Sequence, residues 1–102
     1  MYVVMNRVMV KDDWKEELFN RFRNRKGQID KQPGFVKMQV LDPEQQGSPC
    51  VVLTIWENKH YFEQWIKSED FKIAHQNPMP KQAFTTGGGL ESYQVVISNE
   101  KE

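Results

Sequence analysis

The chain has 102 residues, 14 Lys and Arg balanced by 14 Asp and Glu, 38% hydrophobic residues and one cysteine. That length and mixture predict a single globular domain over residues 1–102, with a modest core to which a second subunit would add burial, and exclude a disordered chain. A net charge of zero removes the long-range positive field that phosphate backbones or anionic membranes select, so neither nucleic acid nor membrane is an expected partner.

Residues Tyr2 to Val10 are rich in Val and Met without a helical period and stop at Lys11-Asp12-Asp13, which predicts a strand buried on both faces. The run is too short, and too interrupted by Asn6 and Arg7, for a signal peptide. Together with the lone Cys50, which has no internal disulfide partner, this points to a reducing, cytoplasmic setting. Asp13 has the spacing to Glu16 of a capping box, predicting a helix from Trp14 to about Lys31, where Pro33-Gly34 breaks it. Phe35 to Leu41 alternates, with Val36, Met38 and Val40 on one face, and reads as a strand. After the polar turn Asp42 to Pro49, the β-branched run Cys50 to Trp56 completes an antiparallel hairpin. Asn58 can cap a second helix to about Lys67, and Ser68 a third, short one from Glu69 to about His75. Residues 76–91, with Pro78, Pro80 and Gly87-Gly88-Gly89, are expected as a flexible loop or lid. Tyr93 to Ile97 is expected as the last strand, with residues 99–102 a tail. The order βαββαβ is that of the α+β ferredoxin-like fold, a four-stranded antiparallel sheet with its helices on one face.

Four features stand out chemically. Asn6 shares a face with Val4, Val8 and Val10 although Asn is depleted in strands, so either a neighbouring loop satisfies its amide or the amide points into a cavity. Trp65 falls on the apolar arc formed with Tyr61, Phe62 and Ile66, the usual pattern of a core residue. Phe71 and His75 stand at i and i+4 on the third helix, where His75 is either a satisfied core residue or a metal ligand. His60 lies off its helix's apolar arc and reads as surface. Arg21 and Arg25 fall within the buried arc of Trp14, Leu18, Phe22 and Ile29. Their stems cover apolar surface with the heads in water, or the two cations receive carboxylates. No CxxC, HExxH, GxSxG or phosphate-binding glycine pattern is present.

Asn6, the stretch Trp56-Glu-Asn-Lys-His-Tyr-Phe-Glu-Gln-Trp65 and Ser68-Glu-Asp-Phe-Lys-Ile-Ala-His75 together resemble the antibiotic biosynthesis monooxygenase superfamily, and within it the IsdG-type heme-degrading branch. The likeness runs from about residue 2 to His75, and Arg21-Phe22 and Arg25-Lys26-Gly27 resemble that family's first helix more weakly. The resemblance implies a homodimer whose two sheets form a joint α+β barrel, each subunit holding heme as cofactor and substrate together. It implies Asn6, Trp65 and His75 as the catalytic set, His75 as the ligand of the heme iron, and Arg21, Phe22, Arg25 and Phe71 as further heme-binding residues. In that setting Asn6 would donate to dioxygen and Trp65 would press on the macrocycle. Electrons would come from an external reductase, and the ring would open with release of iron. Two alternatives stay open: a cofactor-free monooxygenase acting on a quinol or other aromatic, and a heme-binding module without catalysis.

Overall fold

The computed structural model of the chain describes residues 1–25 and 28–101. Its four strands, β1 (Tyr2–Val8), β2 (Phe35–Leu41), β3 (Cys50–Trp56) and β4 (Gly89–Gln94), form one antiparallel sheet in the order β2-β3-β1-β4. The helix α1 (Lys15–Arg23) connects β1 to β2, and α2 (Lys59–Ile66) with α3 (Glu69–Ala74) connects β3 to β4. This is the βαββαβ order of the α+β ferredoxin-like fold, with the second crossover split into two helices.

Directly paired residues share a face of an antiparallel sheet. Tyr2, Val4 and Asn6 therefore stand with Trp56, Thr54 and Val52 on the helix side, whereas Val3 and Met5 stand with Ile55 and Leu53 on the outer side. On the helix side Tyr2, Val4, Ile29, Trp56 and Trp65 form the main core, with Phe62 and Phe71 packed against it. Trp56 is fully buried, and its indole N–H donates to Thr54 Oγ1 at 3.0 Å, so the polar atoms at the centre are satisfied. A second cluster of Leu18, Cys50, Met79 and Ala83 closes the other end of the sheet. Burial raises the pKa of the Cys50 thiol above its ordinary value and keeps it a neutral packing group.

Several elements depart from expectation. β1 is buried on its helix side only, because among the described residues no helix covers the outer face, and its ladder ends at Val8 opposite Cys50. Asp13 does not cap α1. It lies in a single 3-10 turn, Asp12–Trp14, closed by the Trp14 N–H donating to the Lys11 carbonyl at 2.9 Å. α1 ends at Arg23 rather than near Lys31, since Asn20 and Asn24 are weak helix formers and the Asn20 amide oxygen accepts from Arg23 Nη1 at 2.7 Å. Lys26 and Gly27, which the longer helix would have included, lie outside the described residues. In β2 a bulge between Phe35 and Lys37 turns Phe35 inward against Trp56, at 5.5 Å between ring centres, and leaves Val36 exposed.

Residues 76–91 are less free than their composition predicts. A 3-10 turn over Lys81–Ala83 buries Ala83 completely, and its carbonyl accepts from the Lys11 N–H at 2.8 Å. The Thr85 N–H likewise donates to the Met9 carbonyl at 2.8 Å. The glycine run brings the chain onto the open edge of β1. A Cβ at Gly88 would sit 2.8 Å from the Arg7 carbonyl oxygen, so only glycine permits this approach. β4 consequently begins at Gly89, four residues before the expected strand, while Val96 and Ile97 lie beyond the sheet, 88% and 80% exposed.

Candidate active site

Asn6 is the point on β1 where the apolar helix-side face gives way: Val4 is buried, whereas Asn6 is exposed. Its amide opens on a cavity of about 500 Å³, a size within the usual range for small-molecule and cofactor sites. His75 borders the same cavity from the end of α3. The two residues lie far apart in the chain, and the sheet and the α2-α3 crossover bring them together.

The geometry of His75 follows from α3. Ser68 Oγ accepts from the Phe71 N–H at 3.1 Å and donates to the Trp65 carbonyl at 2.7 Å, which starts the helix directly after α2. Asp70 accepts from Gln32 Nε2 at 2.9 Å and fastens α3 to the segment before β2. His75 terminates the helix, its backbone N–H donating to the Phe71 carbonyl at 3.1 Å. His75 Nδ1 lies 2.8 Å from that same oxygen. A carbonyl only accepts, so Nδ1 is the donor, and in the neutral imidazole Nε2 carries the lone pair.

Two guanidinium groups complete the polar rim. Arg21 Nη1 donates to the Asn77 carbonyl at 2.7 Å, and Arg21 Nε lies 3.7 Å from Glu17. Arg25 follows the end of α1 and sits with Cζ 4.2 Å from the centre of the Phe22 ring. Its burial lowers its pKa below the ordinary value through desolvation alone. Among the described residues Arg25 makes no ion pair, whereas Arg21 is already engaged. Val8, Leu18, Met79 and Phe84 supply the apolar wall.

The remaining expected residues lie next to the cavity rather than on it. Trp65 is 4% exposed, stacks on Trp56 at 6.5 Å between ring centres and borders a smaller cavity of about 70 Å³ with Phe22. Arg25 and Ala74 border both cavities and form the partition. Phe71 packs edge-on against Trp65 at 5.4 Å and stacks on His75 at 4.0 Å. His60 is exposed, as its helical position predicts. Asn77 and Met79 were not legible as site residues. The signal was the single apolar Met79 between Pro78 and Pro80, which folds back to bury 91% of its surface.

Among the described residues there is no group of three or more His, Cys, Asp or Glu able to hold a bare metal ion. An imidazole, an amide, a guanidinium with no ion pair among the described residues and an apolar wall instead suit a flat, largely apolar molecule that carries its own metal and carboxylates.

Comparisons with known proteins give the chain's family. Residues 1–77 match the family model described as antibiotic biosynthesis monooxygenase. The chain is 39% identical over 79 residues to a heme oxygenase (staphylobilin-producing) of Staphylococcus haemolyticus, covering 76% of this chain and 75% of that one. It is 36% identical over 78 residues to the protein of the same name from Staphylococcus saprophyticus, covering 74% of each. Its fold matches the heme-degrader MhuD from Mycobacterium tuberculosis, solved with two hemes bound in its active site, with a TM-score of 0.80, 27% identity and coverage of 98% of this chain and 100% of that one. A cofactor-independent oxygenase of Streptomyces nogalater shares the fold alone, with a TM-score of 0.75, 17% identity and coverage of 98% and 97%. The chain belongs to the antibiotic biosynthesis monooxygenase family.

Proposed function

We infer that the protein is a heme-degrading monooxygenase that takes heme as both cofactor and substrate. The observation that carries this reading is the placing of Asn6 and His75 on one cavity of about 500 Å³, with Arg25, which makes no ion pair among the described residues, at its rim. The relatives named as heme oxygenases and the likeness to MhuD support it.

Bound heme supplies an iron that reacts with dioxygen and a porphyrin edge on which the oxidation occurs. His75 would hold the iron through Nε2, the nitrogen that its Nδ1 hydrogen bond leaves free. Asn6 would donate its amide N–H to dioxygen in the cavity, as a fixed dipole on the sheet. Arg25 would pair with a propionate, with Arg21 beside it and already holding the Asn77 carbonyl. Trp65 joins the site through its partition: a macrocycle broad enough to displace the Arg25 guanidinium would meet the indole. Electrons come from an external reductase.

The assembly proposed is a homodimer. The outer sheet face presents Val3, Met5, Leu53 and Ile55 with no helix over them, and Leu41 and Tyr93 are 41% and 49% exposed. A second sheet packed there would give a joint α+β barrel. No helix among the described residues is long and apolar enough to cross a membrane. We place the protein in the cytoplasm, a reading supported by its lone, buried free thiol.

Hemin titration followed by the Soret band tests the binding part of this reading. Saturation at a fixed ratio per subunit, with a low-spin or high-spin histidine-ligated spectrum, is expected. Absence of a specific complex would overturn it.

A further inference from the structure

We propose that Trp65 is a positioning residue for His75, acting through Phe71, and that this aromatic stack sets which nitrogen of His75 is free to bind iron. The inference deepens the heme reading and rests on it for the iron, while the ring contacts that carry it stand by themselves.

His75 is exposed and ends a helix of only six residues, a place where an imidazole would ordinarily rotate freely. Here two contacts hold it. Phe71 lies nearly parallel to its ring, at 4.0 Å and 30°, and the Phe71 carbonyl accepts from Nδ1 at 2.8 Å. Both contacts come from one residue, so the orientation of the imidazole is only as firm as the seat of Phe71. That seat is Trp65, whose indole meets the Phe71 ring edge-on at 5.4 Å and 83°. Trp65 in turn stacks on the fully buried Trp56 and is 4% exposed. A continuous run of rings therefore extends from the sheet's centre to the exposed imidazole. Stacked and edge-to-face ring contacts attract beyond their buried area, which favours one orientation. The hydrogen bond then selects the Nδ1–H tautomer. Smaller side chains at position 65 would leave space behind Phe71, and His75 would lose its brace while the helix itself could persist.

The test uses the full chain without heme, labelled with 15N and 13C in histidine, with His60 as internal reference. In the wild type His75 is expected as the Nδ1–H tautomer, with ring protons shifted upfield of those of His60 by the Phe71 face. Trp65→Leu should move the His75 signals toward those of His60 and mix the tautomers, and Trp65→Phe should restore part of the shift. Phe71→Leu should abolish the upfield shift in a folded protein, which keeps the test open if Trp65→Leu fails to fold. His75 present as the Nε2–H tautomer in the wild type would overturn the proposal. So would His75 signals unchanged in folded Trp65→Leu or Trp65→Phe despite a lowered melting temperature, since that is the behaviour of a residue that only fills the core. Failure of hemin to bind would overturn the heme reading and leave these signals, and the stack they report, unaffected.

Discussion

His75 Nδ1 donates to the Phe71 carbonyl at 2.8 Å, and that single contact leaves Nε2 as the basic nitrogen at the cavity. His75→Ala should therefore abolish the histidine-ligated Soret spectrum. Hemin affinity should fall by more than the roughly 10–100-fold that loss of a residue merely supporting a metal ligand costs. Added imidazole should restore part of the spectrum, because the cavity wall remains. Unchanged hemin affinity in His75→Ala would assign the iron to another ligand.

Asn6 has a different task. It borders the cavity from the sheet and contributes nothing to the core, so Asn6→Ala should keep the fold and the hemin affinity. Its turnover should fall by about 10²–10³, the usual cost of removing one preorganised donor. Stopped-flow measurement of Soret decay under reductant separates the two properties, and full turnover in Asn6→Ala would remove the donor role.

The two arginines should behave unequally. Arg25 makes no ion pair among the described residues, so Arg25→Ala should weaken hemin binding by about 1.5–3 kcal/mol, the worth of a charge-assisted hydrogen bond. Arg21 is spent on Asn77 and Glu17. Arg21→Ala should chiefly loosen residues 76–80, visible as faster amide exchange there, with a smaller loss in affinity. Equal affinity losses would show that both bind carboxylates directly.

Much of this was legible in the sequence, for reasons that differ by element. β3 is a β-branched run bounded by turn residues, and the caps Asn58 and Ser68 both accept from the residue three positions on, Tyr61 and Phe71. Those signals are local, so the hairpin, α2 and α3 were readable to within a residue. α1 and β4 were not: a local helix-ending signal outweighs the apolar period in the first, and a non-local contact decides the start of the second. Asn20 and Asn24 end a helix whose apolar period continues, and the glycines at 87–89 mark close approach to Arg7 rather than slack. The same holds within the site. Asn6 betrayed itself as a polar residue in an apolar strand, but the register that brings it to His75's cavity, and the partition that keeps Trp65 behind Arg25 and Ala74, are properties of the folded chain.

Two glycines should be intolerant of substitution. At Gly34, with φ of +76°, an added Cβ would collide with the Tyr61 ring, while the Gly34 carbonyl accepts from the Glu57 N–H at 2.8 Å. Gly88→Ala meets the backbone of β1 instead. Each should cost about 1–3 kcal/mol, read from urea unfolding. Gly47→Ala is the control for space, since an added Cβ there meets nothing within 4 Å, although its φ of +87° still imposes strain.

The outer sheet face predicts its own test. Leu53 lies on the side away from the helices, paired with Met5. Leu53→Asp should shift the protein from dimer to monomer in sedimentation velocity with the secondary structure intact by circular dichroism. A wild type that sediments as a monomer would contradict the joint barrel.

The most direct test of the whole account loads the protein with one equivalent of hemin per subunit and adds ascorbate in air with catalase present, so that free peroxide cannot bleach the heme. Soret absorbance and trapped ferrous iron are then followed together. Loss of the Soret band with stoichiometric release of iron, abolished in His75→Ala and strongly slowed in Asn6→Ala, is the predicted result. Hemin that binds but survives intact would contradict it and leave a heme-binding protein without the oxidation.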